Sequence, residues 1–319
     1  PFKLTDAQQR VWLEIQQDMA LASPMLRLVQ GDVGCGKTVV TALSAVNVIA
    51  QGGQVALMAP TELLAEQHAR TFQTWFQPLG IEVVYLVSKQ STALRRKNLQ
   101  RIADGAAMVI GTHALMQEHV QYKNLCLVMV DEQHRFGVHQ RLSLRDKGES
   151  GEYSPHQLIL TATPIPRTLA MSAYADLDVS TINELPPGRT PVQTVAIANS
   201  RRDEIIERIE NLCQQGSQVY WVCTLIDESE EIQAQSAQAA FELIGSLLPS
   251  CTIALLHSKV PQAQKISTMK AFKENQIQIL VATTVIEVGV DVPNASVMVI
   301  ENAERLGLAQ LHQLRGRVG

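Results

Sequence analysis

Short apolar runs alternate with amphipathic stretches along the whole chain. "MLRLVQ" (25–30), "QVALMAP" (54–60), "IEVVYLV" (81–87), "AAMVIGT" (106–112), "LCLVMVDE" (125–132) and "HQLILTAT" (156–163) are apolar nearly end to end. Runs of this kind predict strands of a parallel sheet whose two faces are both covered. Between them, "VVTALSAVNVIAQGG" predicts a helix that stops at the Gly52-Gly53 pair. "TELLAEQHARTFQTWF" predicts another, with apolar residues at helical spacing. The stretch "ELPPGRTPV" (184–192) holds three prolines and a glycine and reads as a domain boundary. Beyond it the alternation restarts. "SQVYWVCTL", "CTIALLHS", "IQILVATT" and "ASVMVIEN" predict strands, and "RRDEIIERIENLCQQG" is one of the helices between them. The pattern predicts an α/β fold in two domains, residues 1–187 and 188–319. No short repeat or low-complexity segment interrupts it.

Composition narrows the class. A chain of 319 residues, 46% hydrophobic and 18% charged, can bury two cores. The net charge of −4 does not announce a nucleic-acid binder, although a local basic groove stays open. Cys35, Cys126, Cys213, Cys223 and Cys251 show no CxxC pair and read as reduced thiols of a cytoplasmic protein. The eight histidines form no metal-ligand pattern. No apolar run is long enough to span a membrane, and no signal peptide is visible. The first residue is Pro1 rather than Met, so flanking sequence is expected.

"GDVGCGKT" (31–38) fits the phosphate-loop pattern G-x-x-x-x-G-K-S/T, between an expected strand and an expected helix. Gly31, Asp32, Gly34, Cys35 and Gly36 would present backbone N–H groups to the phosphates of a nucleotide. Lys37 would reach the terminal phosphates, and Thr38 would place its hydroxyl on Mg²⁺. "LVMVDEQH" (127–134) is an apolar strand ending in two acids, at the sheet edge where open α/β folds bind ligands. Asp131 is the candidate metal ligand, and Glu132 the candidate base for an attacking water.

"GDVGCGKT", "DEQH" and "TATPIPRT", in that order, resemble motifs I, II and III of the superfamily 2 helicases and translocases. Longer strings, "DEQHRFGVHQR", "TATPIPRTLAMSAYADLD", "TTVIEVGVDVPNA" and "ENAERLGLAQLHQLRGRVG", are similar to the RecG-type branch-migration helicases. The transcription-repair coupling translocases of the Mfd type share part of these strings. "DEQH", "YADLD" and "ENAERLG" favour the RecG type.

The resemblance implies two tandem RecA-like domains, ATP and Mg²⁺ as cofactors, and branched double-stranded DNA as partner. It implies a monomer in the bacterial cytoplasm, associated with the nucleoid, that meets single-strand DNA-binding protein when intact. Phe2 is implied to stack on adenine and Gln8 to hydrogen-bond it, with a terminal hydrophobe docked on the domain as the competing reading of Phe2. Thr61, Thr112, His113, Arg167, Lys259 and Thr283 are implied to lie near DNA phosphates. At Thr61 and Thr112 a helix cap and a loop hydrogen bond are the competing readings. Asp291 is implied to contact the nucleotide sugar or to brace an arginine finger, Gln313 to serve the nucleotide, and Arg317 to act as the finger.

Three departures from the family stand out. Cys35 replaces a residue that is usually serine, and Lys37 and a helix N-terminus beside it predict a lowered thiol pKa and sensitivity to thiol reagents. "SKQS" (88–91) and "LHSKV" (256–260) lack the family's glycines, and Lys89 and Lys259 would compensate by charge. Neither the family's wedge domain nor its C-terminal hook is present, and the chain stops one residue before the last motif VI arginine. A core that binds nucleotide without efficient turnover therefore remains an alternative expectation.

Overall fold

The computed structural model describes residues 3–131, 154–162, 177–184, 192–224, 230–257, 259–283, 292 and 294–318. The chain divides into two compact units, residues 1–187 and 188–319.

The first unit carries a seven-stranded sheet: β1 (Leu26–Gly31), β2 (Gln54–Met58), β3 (Val83–Leu86), β4 (Met108–Gly111), β5 (Leu125–Asp131), β6 (His156–Thr161) and β7 (Asp178–Ile182). The order is β3-β4-β2-β5-β6-β1-β7, and every pairing is parallel. Its helices are α1 (Asp6–Met19), α2 (Lys37–Ala50), α3 (Glu62–Phe76) and α4 (Thr92–Asp104). Alternate strand residues face opposite ways. Val55, Leu57, Ile110 and Met129 join Val11, Ala45 and Phe72 of α1, α2 and α3 in one cluster. Ala56, Met58, Val109 and Val130 join Ile102 of α4 in another. Both faces are thus covered, which is why these strands read as unbroken apolar runs.

The second unit repeats the plan with β8 (Gln218–Cys223), β9 (Ile253–Leu256), β10 (Ile279–Ala282) and β11 (Ala295–Glu301), in the all-parallel order β11-β8-β10-β9. The helices α5 (Arg202–Gln214) and α6 (Glu230–Leu247) cover one face, and α7 (Gln262–Lys273) and α8 (Leu308–Arg315) the other.

Two helix ends follow from local chemistry. Gly52 takes φ +81° after α2. Its N–H donates to Ile49 O at 2.9 Å, and that of Gly53 to Val48 O at 3.1 Å. This double bond pattern needs a left-handed residue, so the Gly-Gly stop is a Schellman ending. At the start of α1, Thr5 Oγ1 accepts from Gln8 N at 3.3 Å, while Gln8 Oε1 accepts from Thr5 N at 3.0 Å. That reciprocal capping box fixes the first turn.

A buried cation docks α1 on the sheet. Arg27 of β1 is 9% exposed. Its guanidinium donates to Asp18 Oδ2 at 2.5 Å and to Ser180 Oγ of β7 at 2.7 Å, and Glu14 Oε2 lies 3.5 Å away. Arg10 adds a bond of 2.7 Å to Thr181 O. Helix α1 is therefore tied to β1 and β7 together, which sets Gln8 above the end of β1.

Candidate nucleotide site and motor motifs

Strand β1 ends at Gly31 and α2 begins at Lys37, so the loop between them lies at the carboxyl edge of the sheet. Gly34 and Gly36 have φ of +82° and +90°. A side chain at either position would be strained, and such a curl lets successive N–H groups converge on an anion. Gly36 is the N-cap of α2 and supplies no side-chain cap, so the first turn keeps N–H groups for a ligand. A cavity of about 240 Å³ adjoins the loop, lined by Gln30, Gly31, Cys35, Ala162, Ile182 and Glu184 among others.

Lys37 folds back over its own loop. Its Nζ donates to Gly31 O at 2.5 Å and to Asp32 O at 2.9 Å. These carbonyls are neutral acceptors, and a charged phosphate oxygen is a stronger one. Thr38 follows in the first turn of α2, half-buried.

Cys35 corrects an expectation. Its side chain is 1% exposed, not presented to solvent. Burial pushes its thiol pKa up, and the lowering by nearby Lys37 does not overcome that. The lowered pKa is contradicted, because a dry thiol pays for ionising, and burial also works against access by a thiol reagent. It packs so close that a Cβ on Gly31 would sit 2.5 Å from its Sγ, so the two residues fit as a pair.

Gln8 reaches the loop from α1. Its Nε2 donates to Cys35 O at 2.8 Å, and a Cβ on Gly36 would fall 2.2 Å from that nitrogen. The side chain thus braces the loop. One amide proton and one oxygen lone pair remain beyond the bonds to Cys35 and Thr5. Glu184 Oε2 accepts from Ala7 N at 3.0 Å and finishes the cap of the same turn.

Asp131 closes β5 with a carboxylate 14% exposed. Its Oδ2 lies 2.8 Å from Nε2 of His68 on α3. The sequence reading missed His68. The signal was there: His68 falls on the inward stripe of α3 with Ala65, Ala69 and Phe72, and a histidine facing a core needs a polar partner. Among the described residues no group of His, Cys, Asp and Glu side chains could cage a metal by itself. A single carboxylate and a threonine hydroxyl are nonetheless the hard oxygen donors that suit Mg²⁺, which is usually completed by water and substrate phosphates.

Phe2, Glu132, Arg167 and Asp291 lie outside the described residues. Thr61 is the N-cap of α3, its Oγ1 accepting from Leu64 N at 3.3 Å. Thr112 and Thr283, at the ends of β4 and β10, are 2% and 0% exposed. Among the described residues neither hydroxyl has a hydrogen-bond partner. His113, Lys89 and Lys259 are exposed. Gln313 is buried in α8, and Arg317 lies just past its end, with its N–H donating to Leu314 O at 2.9 Å. No described helix is long and apolar enough to cross a membrane.

Comparison with known proteins matches this geometry. Residues 5–172 match the DEAD/DEAH box helicase model, and residues 202–319 the helicase conserved C-terminal domain. The chain is 62% identical to the ATP-dependent DNA helicase RecG of Escherichia coli O157:H7, over 100% of its own length and 46% of that protein. It is 61% identical to the RecG of Pasteurella multocida (strain Pm70), again over 100% of the chain and 46% of the relative. A solved structure of RecG bound to a three-way DNA junction superposes with a TM-score of 0.80 at 44% identity, covering 100% of this chain and 41% of that one. The chain thus spans about half the length of the curated relatives it matches. Its two parallel-sheet units are tandem RecA-like domains. Since the first model extends over more than half of its length, the chain belongs to the DEAD/DEAH box helicase family.

Proposed function

We propose that this chain is the ATP-hydrolysing motor of a RecG-type helicase, which translocates on double-stranded DNA and remodels forks and Holliday junctions. The observation that carries this reading is the phosphate loop: two left-handed glycines, an uncapped helix start and Lys37 poised over it. The 62% identity to RecG along the whole chain supports the DNA substrate.

In this reading the loop N–H groups hold the β- and γ-phosphates, and Lys37 exchanges its carbonyl partners for phosphate oxygens. Thr38 and Asp131 would hold Mg²⁺, whose chemistry is to neutralise charge on the phosphate oxygens. Glu132 takes a proton from the attacking water as the new oxygen–phosphorus bond forms. The bond from the γ-phosphorus to the bridging oxygen breaks, and its electron pair leaves with ADP. Arg317 donates to the γ-phosphate oxygens as charge develops there. Phe2 and Gln8 serve the adenine, and Asp291 and Gln313 the rest of the nucleotide. His113 and Lys259, both exposed, supply the polar and cationic reach toward DNA phosphates. Arg167 is proposed to extend that surface, whereas Thr61 caps α3 and Thr112 and Thr283 are buried, so these three hydroxyls are not offered to it. The intact enzyme would act as a monomer in the bacterial cytoplasm, at the nucleoid, alongside single-strand DNA-binding protein.

The test is Mg²⁺-dependent ATP hydrolysis beside a Glu132→Gln control. The substitution should lower turnover by about 10²- to 10⁴-fold, the usual reach of a general base. Hydrolysis at the wild-type rate in that variant would remove Glu132 from the mechanism.

A further inference from the structure

The contact between His68 and Asp131 has a use beyond packing. Helix α3 brings His68 under the end of β5, where its Nε2 meets one carboxylate oxygen of Asp131 at 2.8 Å. Both side chains are largely withdrawn from water, at 13% and 14% exposure. The imidazole is also held from its side. The ring of Phe72, one turn further along α3 and fully buried, meets it edge-on with centroids 6.5 Å apart. Thr61 fixes where the helix starts, through its bond to Leu64 N. The ring therefore has little freedom to turn, and neither has the carboxylate it holds.

A carboxylate has two oxygens and about four lone-pair sites. The contact from His68 is made to Oδ2, and a carboxylate can hold a cation and a hydrogen-bond donor at the same time. Histidine–carboxylate pairs next to metals act in this way: the outer partner fixes the rotamer and basicity of the ligand. Here the roles are reversed from the common zinc arrangement, since the carboxylate is the ligand and the imidazole the support.

We infer that His68 is a positioning residue, which holds Asp131 in the rotamer that receives Mg²⁺ with the nucleotide. The inference rests on the proposed function, in which Asp131 is the metal ligand. In this role His68 needs no contact with the nucleotide. It acts through Asp131 alone, by removing the conformational freedom that the carboxylate would otherwise lose on binding the ion.

Two variants test it. His68→Leu fills the space without a donor, and His68→Gln offers an amide N–H at comparable reach. The readout is binding of a fluorescent ATP analogue as Mg²⁺ is titrated, with thermal unfolding and Mg²⁺-free nucleotide binding measured alongside. In His68→Leu the Mg²⁺ needed for half-maximal binding should rise about 10- to 100-fold. Binding without Mg²⁺ should stay within a few-fold of wild type, and His68→Gln should recover most of the loss. A support of the fold alone would lower the unfolding temperature of both variants and leave the Mg²⁺ midpoint in place. An unchanged midpoint in His68→Leu, with wild type showing one, overturns the positioning role and leaves the motor reading intact. A wild-type chain whose nucleotide binding ignores Mg²⁺ contradicts the motor reading itself, and this inference with it.

Discussion

Replacing Arg317 with alanine is expected to slow ATP turnover by about 10³- to 10⁵-fold, the range an arginine finger contributes to phosphoryl transfer. The backbone at this position has anchors of its own. Arg317 N donates to Leu314 O at 2.9 Å, and its neighbours Leu314 and Val318 are core residues at 2% and 4% exposure. The substitution should therefore spare the fold and leave nucleotide affinity within a few-fold. Lysine should not restore the rate, because an ammonium cannot offer two parallel donors to a flattened phosphoryl group. Single-turnover hydrolysis and binding of a fluorescent nucleotide, measured on the same preparations, separate these effects. A fall in affinity equal to the fall in rate would mean that Arg317 only binds the ground state.

Lys37→Ala should cost about 10²- to 10³-fold in turnover, as expected for losing one preorganised donor at a reacting phosphate. Unlike Arg317, Lys37 should also weaken binding. Its ammonium already lies over the loop, bonded to Gly31 O and Asp32 O, so it meets the phosphates in the ground state as well as in the transition state. The measurement is kcat and nucleotide affinity for wild type, Lys37→Ala and Lys37→Met. Methionine keeps the length and packing of the stem. Near-normal affinity and rate in Lys37→Met would assign the effect to packing of the loop and contradict the charge argument.

The legible parts of the fold were those whose burial is one-sided in cause. Strands β1 to β6 are covered on both faces, so their apolar runs could be read directly. The edge strand β7 was not legible. Its sequence, DVSTI, has only Val179 and Ile182 as apolar residues, and Ser180 is buried because Arg27 and Glu14 partner it. Such pairing from 150 residues away leaves no local pattern. Helix α1 did leave one, in the spacing of Ala7, Val11 and Ile15 after Thr5 and Gln8. The pair Thr5-Gln8 is a capping box, and a reading of Gln8 for adenine alone overlooks it.

The site shows the same division. The phosphate loop is a local motif, so its residues and its helix start could be placed from sequence. What sequence spacing cannot give is burial. Cys35 was expected to be an activated thiol from its neighbours, yet desolvation outweighs the charge of Lys37. Thr61 was open between a DNA contact and a helix cap, and the cap is present. His68 and Asp131 are far apart in the chain, and only the docking of α3 beside β5 joins them.

The central proposal is that this chain belongs to a motor that turns ATP hydrolysis into work on branched DNA. It is tested most directly by its ATP turnover on forked DNA, on linear duplex of the same length, and without DNA. The account predicts a clear rise with DNA, larger on the fork, falling as salt increases because the contacts are to phosphates. A rate that is the same in all three conditions, with nucleotide still bound, would contradict it. The chain would then bind nucleotide without coupling its hydrolysis to DNA.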